Sequence, residues 1–267
     1  MMQKIYHFVL AATIGAAAVL TTSCNGNNPN VPSQKEIETK IIGKWKRVAI
    51  NGEEELTNHR QICTYETGGK AVYSESVFRG NHWVWSNHQE GSYTIDGNTL
   101  SAKIPNHEIV SKINSINDNT MDKYVLKSID TETGSTSEVN TSQKLMKVSV
   151  DYSRDIIGMW QGVEMVGDET YGDANTRIEY RVDGTYIYYK KDDEGIWQSN
   201  VNEMAEWNVD GDWLAFRWRH LGSEDENYEW WDIEYIRGNE MKWSALREKE
   251  DGTRFTTTFT WARVGEN

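Results

Sequence analysis

The chain has 267 residues, a formal net charge of −13, and twelve Trp, thirteen Tyr and five Phe. At roughly 100–200 residues per domain, the length holds one large or two small domains. A mean hydropathy of −0.71 excludes a polytopic membrane protein, and the ring content excludes a disordered acidic tail. Affinity built on phosphate neutralisation is excluded by the charge, so no nucleic-acid partner is expected. Two cysteines are too few for a disulfide framework or a Cys-rich zinc site.

Residues 1–23 read as a signal peptide: Lys4 supplies a positive start, and residues 8–20 form a 13-residue run without charge. That run is shorter than the roughly 20 apolar residues a membrane span needs and suits a signal-peptide core. Thr21-Thr22-Ser23 then precedes Cys24. The segment resembles the lipobox of bacterial lipoproteins, although Thr21 stands where that pattern has an aliphatic residue. The resemblance implies that Cys24 is lipidated and anchors the chain to a membrane. The alternative is an ordinary secreted protein in which Cys24 is a chance thiol. By resemblance to Gram-negative lipoprotein sorting, the lack of Asp after Cys24 implies the outer membrane. The lack of an acidic run there implies domains in the periplasm. Residues 24–40 read as the anchor, a flexible polar tether and the start of a short helix at residues 34–42. Cys63, on an alternating run, is expected to be a small buried residue without reactivity.

The rest of the chain is one unit written twice. Ile41-Ile42-Gly43-Lys44-Trp45 recurs 115 residues later as Ile156-Ile157-Gly158-Met159-Trp160. Tyr65, Gly69 and Tyr73 match Tyr180, Gly184 and Tyr188 at the same spacing, and Tyr93 matches Trp207. Met121 matches Met241, and Lys147-Val148 matches Arg263-Val264. A unit this long is a domain duplication rather than a solenoid repeat, giving domains at residues 41–150 and 151–267.

Both units read as β. Ile178, Tyr180 and Val182 alternate with polar residues, as do Leu214, Phe216 and Trp218, then Trp231, Ile233 and Tyr235, then Phe255, Phe259 and Trp261. Such period-2 alternation is the strand signal. Asp183-Gly184, Asp210-Gly211, Gly238-Asn239 and Asp251-Gly252 are hairpin dipeptides between the runs. Residues 131–142 read as a low-complexity loop before the last strand of the first unit. About eight short antiparallel strands per unit remove their edges by closing into an up-and-down barrel. The fold expected is therefore all-β, with two tandem antiparallel up-and-down barrels of about eight strands each after the leader and linker.

A Gly-x-Trp on the first strand of such a barrel resembles the lipocalin signature. The short repeats behind a lipoprotein leader look most like the bacterial lipocalin-like domain. The resemblance implies that Trp45 and Trp160 close one end of their barrels, with Lys147 and Arg263 packed over the rings. Each unit is shorter than a typical lipocalin and lacks the inter-strand cysteines of many.

The copies have diverged. Residues 41–150 carry 13 acidic and 12 basic side chains against 26 and 13 in residues 151–267, and Trp divides three to nine. Alternation turns Trp207, Trp218, Trp231, Tyr235 and Trp243 inward in the second unit, with His220 beside them. Such a wall suits an apolar small molecule, a stacked sugar or a cation; equally, the rings can fill a core short of Leu. Arg217 and Arg219 are placed across a hairpin from Asp232 and Glu234 as exposed pairs.

Catalytic signals are thin. The chain lacks Gly-x-Ser-x-Gly, a phosphate loop and His-Glu-x-x-His. His82 and His88 share strand parity, but no third ligand on their face can be assigned, so neither metal nor cofactor is expected. Residues 208–212 read as a hairpin turn rather than a calcium loop. These features describe a non-enzymatic envelope lipoprotein that binds a small hydrophobic or aromatic-stacking ligand, chiefly in the second barrel. The alternative is a protein interaction module with plugged barrels and an acidic outer surface.

Overall fold

The computed structural model describes residues 31–79, 82–167, 175–199 and 202–265, with the side chains of residues 76–88 outside that description. Cys24 lies outside the described residues, as do the side chains of His82 and His88. Helix α1 (Gln34–Lys40) is capped by Ser33, whose hydroxyl accepts from the Glu36 amide at 3.3 Å. It ends two residues short of the expected span and buries Ile37, with Ile41, against the first sheet.

That sheet comprises β1 (Gly43–Ile50), β2 (Glu53–Glu54), β3 (Gln61–Tyr65), β4 (Lys70–Arg79), β5 (His82–Asp96), β6 (Thr99–Ile104), β7 (His107–Ile116), β8 (Thr120–Asp130) and β9 (Thr136–Val148), with a 3-10 turn at Thr57–His59. From β3 onward each strand pairs with the next, and β9 returns to β1 with Lys147 opposite Trp45. The result is a closed eight-stranded antiparallel barrel, with β2 a short flap on β1. The low-complexity run is mostly strand: Thr136, Ser137 and Glu138 pair with Ile129, Ser128 and Lys127. Thr and Ser suit a half-exposed ladder, so polarity there was a poor guide to a loop.

The second sheet comprises β10 (Gly158–Val166), β11 (Thr176–Tyr180), β12 (Tyr186–Lys191), β13 (Trp197–Ser199), β14 (Asn202–Asp210), β15 (Trp213–His220), β16 (Glu226–Arg237), β17 (Glu240–Glu248) and β18 (Arg254–Arg263). It curls so that β10 meets β18 as β1 meets β9. Its ladder is open where β5 pairs β4 in the first barrel. There β13 and β14 share the place of one strand, and Thr185, just before β12, makes an isolated bridge to Glu206 on β14. The local turn is nevertheless the same: the Trp207 amide donates to Gly184 O at 2.8 Å, and the Tyr93 amide to Gly69 O at 2.7 Å.

The base of each sheet is built alike. Trp45 Nε1 donates to Ile41 O at 2.6 Å, and Trp160 Nε1 to Ile156 O at 2.7 Å. Lys147 Nζ lies 5.1 Å from the centre of the Trp45 ring, and the Arg263 guanidinium 4.2 Å from that of Trp160. Both basic side chains also donate to backbone carbonyls, Lys147 to Lys40 and Arg263 to Asp155 and Ile157. Gly43 and Gly158 permit this crossing. A Cβ on Gly43 would lie 2.9 Å from Lys147 Cε, one on Gly158 2.8 Å from Arg263 Nη1, and both have φ near +120°.

The two units are docked through polar and apolar contacts. Lys46 Nζ donates to Asp212 at 2.8 Å and to Asp232 at 2.9 Å, and Arg60 Nη2 reaches the other oxygen of Asp232 at 3.0 Å. Lys44 pairs with Asp210 on the β14–β15 turn. Thr57 is the pivot: its carbonyl accepts from Trp213 Nε1 at 3.0 Å, and its hydroxyl accepts from the Leu246 amide at 2.9 Å. Ile62, Trp213, Ala215 and Trp230 form a separate apolar cluster across the junction. The expected pairing of Arg217 and Arg219 with Asp232 and Glu234 is not formed. Arg217 faces Glu206 and Glu226, Arg219 faces Glu203, and Asp232 is taken by the first unit. Strands β15 and β16 pair Arg217 with Tyr228 and Trp213 with Asp232, a register that sequence alternation cannot supply.

Burial opposes ionisation of Asp232, but Lys46 and Arg60 outweigh it and hold the carboxyl below its ordinary value. A depressed folded pKa contributes stability that is present above the unfolded value of about 3.9 and lost as pH falls through the folded value. Acid titration of the wild type is therefore expected to loosen the junction below about pH 4. Asp232→Asn, which strands buried cations, is expected to cost about 3 kcal/mol and to flatten that acid limb. Urea melts at pH 7 and pH 3.5 read both effects, and equal pH dependence in the two proteins would contradict the assignment.

Candidate functional site

Three places deserve comparison: the two lumens and the cleft between the units. The second lumen is filled with rings. Trp231 stacks on Trp243 at 5.2 Å, Phe259 stacks on Trp261 at 4.1 Å, and the Trp243 and Trp261 rings meet edge-on at 5.0 Å. Phe216 touches Trp243, Tyr180 and Tyr186, and Tyr180 meets Trp207. At its upper end the Arg247 guanidinium covers the Trp231 face at 4.7 Å and donates to Glu229 at 2.7 Å. Tyr180 OH, Trp243 Nε1 and Trp261 Nε1 are buried without a hydrogen bond among the described residues, each at a cost of about 1–3 kcal/mol.

The structure gathers Trp207, Trp231 and Trp243 in this core and puts Trp218 at its edge. Tyr235 and His220 are not part of the wall. A β-bulge between Ile233 and Tyr235 reverses the alternation, so Ile236 enters the core instead. Tyr235 lies under Arg237, with its hydroxyl donating to Glu240. His220 ends β15 at the rim, exposed, with Nδ1 3.0 Å from Asn202 Oδ1.

The first lumen is lined differently at matching positions. The ladders fix the correspondence. Tyr65 pairs with Ala71 where Tyr180 pairs with Tyr186, and Tyr93 with Ala102 where Trp207 pairs with Phe216. Ile113 pairs with Lys123 where Ile233 pairs with Trp243, and Met121 with Leu145 where Met241 pairs with Trp261. Four rings of the second lumen thus face two alanines, a lysine and a leucine in the first. A buried aromatic side chain covers about 150–250 Å², so the exchange removes much of the filling.

The first lumen is also polar. Arg47 donates to both carboxylate oxygens of buried Glu55 and to Gln61 Oε1 at 3.1 Å; Gln61 Nε2 donates on to Glu75 at 3.0 Å. Cys63 is 1% exposed, and burial pushes its thiol pKa up, which leaves it protonated. Lys123 is 5% exposed between Met121 and Val125 on β8. It has no hydrogen bond or ion pair among the described residues. Burial pushes its ammonium pKa down, and the like charge of Arg47 adds to that effect.

The cleft, about 790 Å³, is lined by β1, β8 and β9 of the first unit, Lys123 included, and by Asp212 and β16 at Asp232 in the second. Its central charges, Lys46, Arg60, Asp212 and Asp232, are engaged with one another. Its centre is thus occupied by the salt bridges that join the two units.

Lys123 and Arg47 escaped the sequence reading, although a signal existed. At the spacing that matches Met121 to Met241, Lys123 faces Trp243, a cation standing where the copy has a ring only 2% exposed. A family model described as a lipocalin-like domain matches residues 41–123, from two residues before the first Gly-x-Trp motif to Lys123. A search of curated proteins finds no match to the chain.

Proposed function

We propose that the chain is a non-enzymatic binding protein of the cell envelope, held by lipid at Cys24, in which the first barrel receives a small amphipathic molecule. The second barrel is its packed structural partner. The observation that carries this reading is the exchange at equivalent inward positions, Ala71 for Tyr186, Ala102 for Phe216, Lys123 for Trp243 and Leu145 for Trp261. Protein interiors are close-packed, so on this reading the loss of a ring at each of these four matched positions leaves the first barrel room that its twin lacks. Its polar groups match the general design of a ligand site, apolar walls with a few placed polar groups. The lipocalin-like match over residues 41–123 supports the same barrel.

The test restores the copy's rings. The neutral dye N-phenyl-1-naphthylamine is expected to bind the wild type with saturable fluorescence enhancement. Ala102→Phe is expected to weaken that binding at least tenfold while leaving the circular dichroism unchanged. Phe216→Ala should leave the first site intact. Equal binding by wild type and Ala102→Phe would contradict the assignment to this lumen.

The anchor is tested separately. Cys24→Ser expressed in a Gram-negative host is expected to move from the membrane fraction to the soluble periplasmic fraction and to lose incorporation of labelled palmitate. Unchanged membrane association would contradict lipidation.

A further inference from the structure

We infer that the molecule held by the first barrel carries a single anionic group, of carboxylate or sulfonate type, which seats against the Lys123 ammonium beside Arg47. This rests on the reading that the first barrel is the binding barrel, and it names the chemistry recognised there.

The charges of the lumen lead to it. Arg47 is neutralised locally by Glu55, which accepts through both oxygens. Glu75 lies on β4, four strands from β8 in either direction round the barrel, and accepts from Gln61. Lys123 is left with no carboxylate within ion-pair distance among the described residues, and it is 5% exposed. Burying an ammonium without a partner is strongly unfavourable. A lysine kept only for folding would be paired, or replaced by an apolar residue as Trp243 replaces it in the copy. A buried ammonium with no ion-pair partner of its own, across the barrel from the one lumen carboxylate that no cation pairs among the described residues, fits a guest that brings a negative charge to it on an apolar body. The body has apolar neighbours available in Met121, Val125 and Leu145.

A matched pair of probes separates charge from apolar fit. 1-Anilinonaphthalene-8-sulfonate has the ring system of N-phenyl-1-naphthylamine with one sulfonate added. The wild type is expected to bind the sulfonate more tightly than the neutral dye. Lys123→Met should weaken the sulfonate at least tenfold and leave the neutral dye within twofold. The same variant, relieved of a buried unpaired charge, should melt at a higher temperature than the wild type in the absence of dye. Lys123→Gln, closer in length and still polar, gives the same dye comparison if the methionine variant does not fold. If Lys123→Met binds the sulfonate as the wild type does while Ala102→Phe still blocks the neutral dye, the barrel reading stands and the anion is overturned. Equal loss of both dyes, or a lower melting temperature for Lys123→Met, makes the lysine structural and also overturns it. Failure of the wild type to bind either dye overturns the barrel reading and this inference together.

Discussion

A curled antiparallel sheet that brings its first strand to its last no longer exposes either as an edge, and in this chain that meeting happens twice by the same device. An indole lies at the base, anchored to a carbonyl four residues earlier. A basic side chain from the final strand crosses over it, and a glycine two residues before the indole leaves the path open. Removing any one member affects the others: a Cβ at Gly43 or Gly158 would stand where the cation passes. A cation over a Trp face contributes about 0.5–2 kcal/mol, and the carbonyl bonds made by Lys147 and Arg263 fix its position. Strand order, closure and the inward alternation of every later strand depend on that start.

With both copies sharing this frame, their differences become informative. The Trp excess of the second unit has two main destinations. Trp160, Trp207, Trp231, Trp243 and Trp261 fill its lumen, whereas Trp213 and Trp230 leave the lumen and dock on Ile62 of the first unit. Part of the acidic excess has a similar purpose. Asp210, Asp212 and Asp232 meet Lys44, Lys46 and Arg60, so charge divergence between the copies created a complementary junction. The first copy kept small and polar residues inside, which fits a division of labour in which one barrel braces and the other receives.

Much of this architecture was legible in the sequence. Period-2 runs, the hairpin dipeptides and the repeated Gly-x-Trp specify antiparallel strands and their order without reference to tertiary contacts. What escaped were features set by register. The bulge after Ile233 moved Tyr235 off the inner face, and pairing of β15 with β16 gave Asp232 to the other unit. Aromatic richness pointed to the second lumen, but rings that touch one another at 4–6 Å are a core. The informative residue was the opposite kind, a lysine on an apolar face, and its meaning came only from the residue opposite it in the copy.

The proposed division of labour requires room in the first lumen and none in the second. Equilibrium urea unfolding of the exchanged pair Ala102→Phe and Phe216→Ala measures this directly, without any ligand. Phe216→Ala should lose about 3–5 kcal/mol, as for a ring deleted from a packed core, whereas Ala102→Phe should be as stable as the wild type or more so. An overpacking loss of about 1–3 kcal/mol in Ala102→Phe would mean that the first lumen is already full, and would contradict the account.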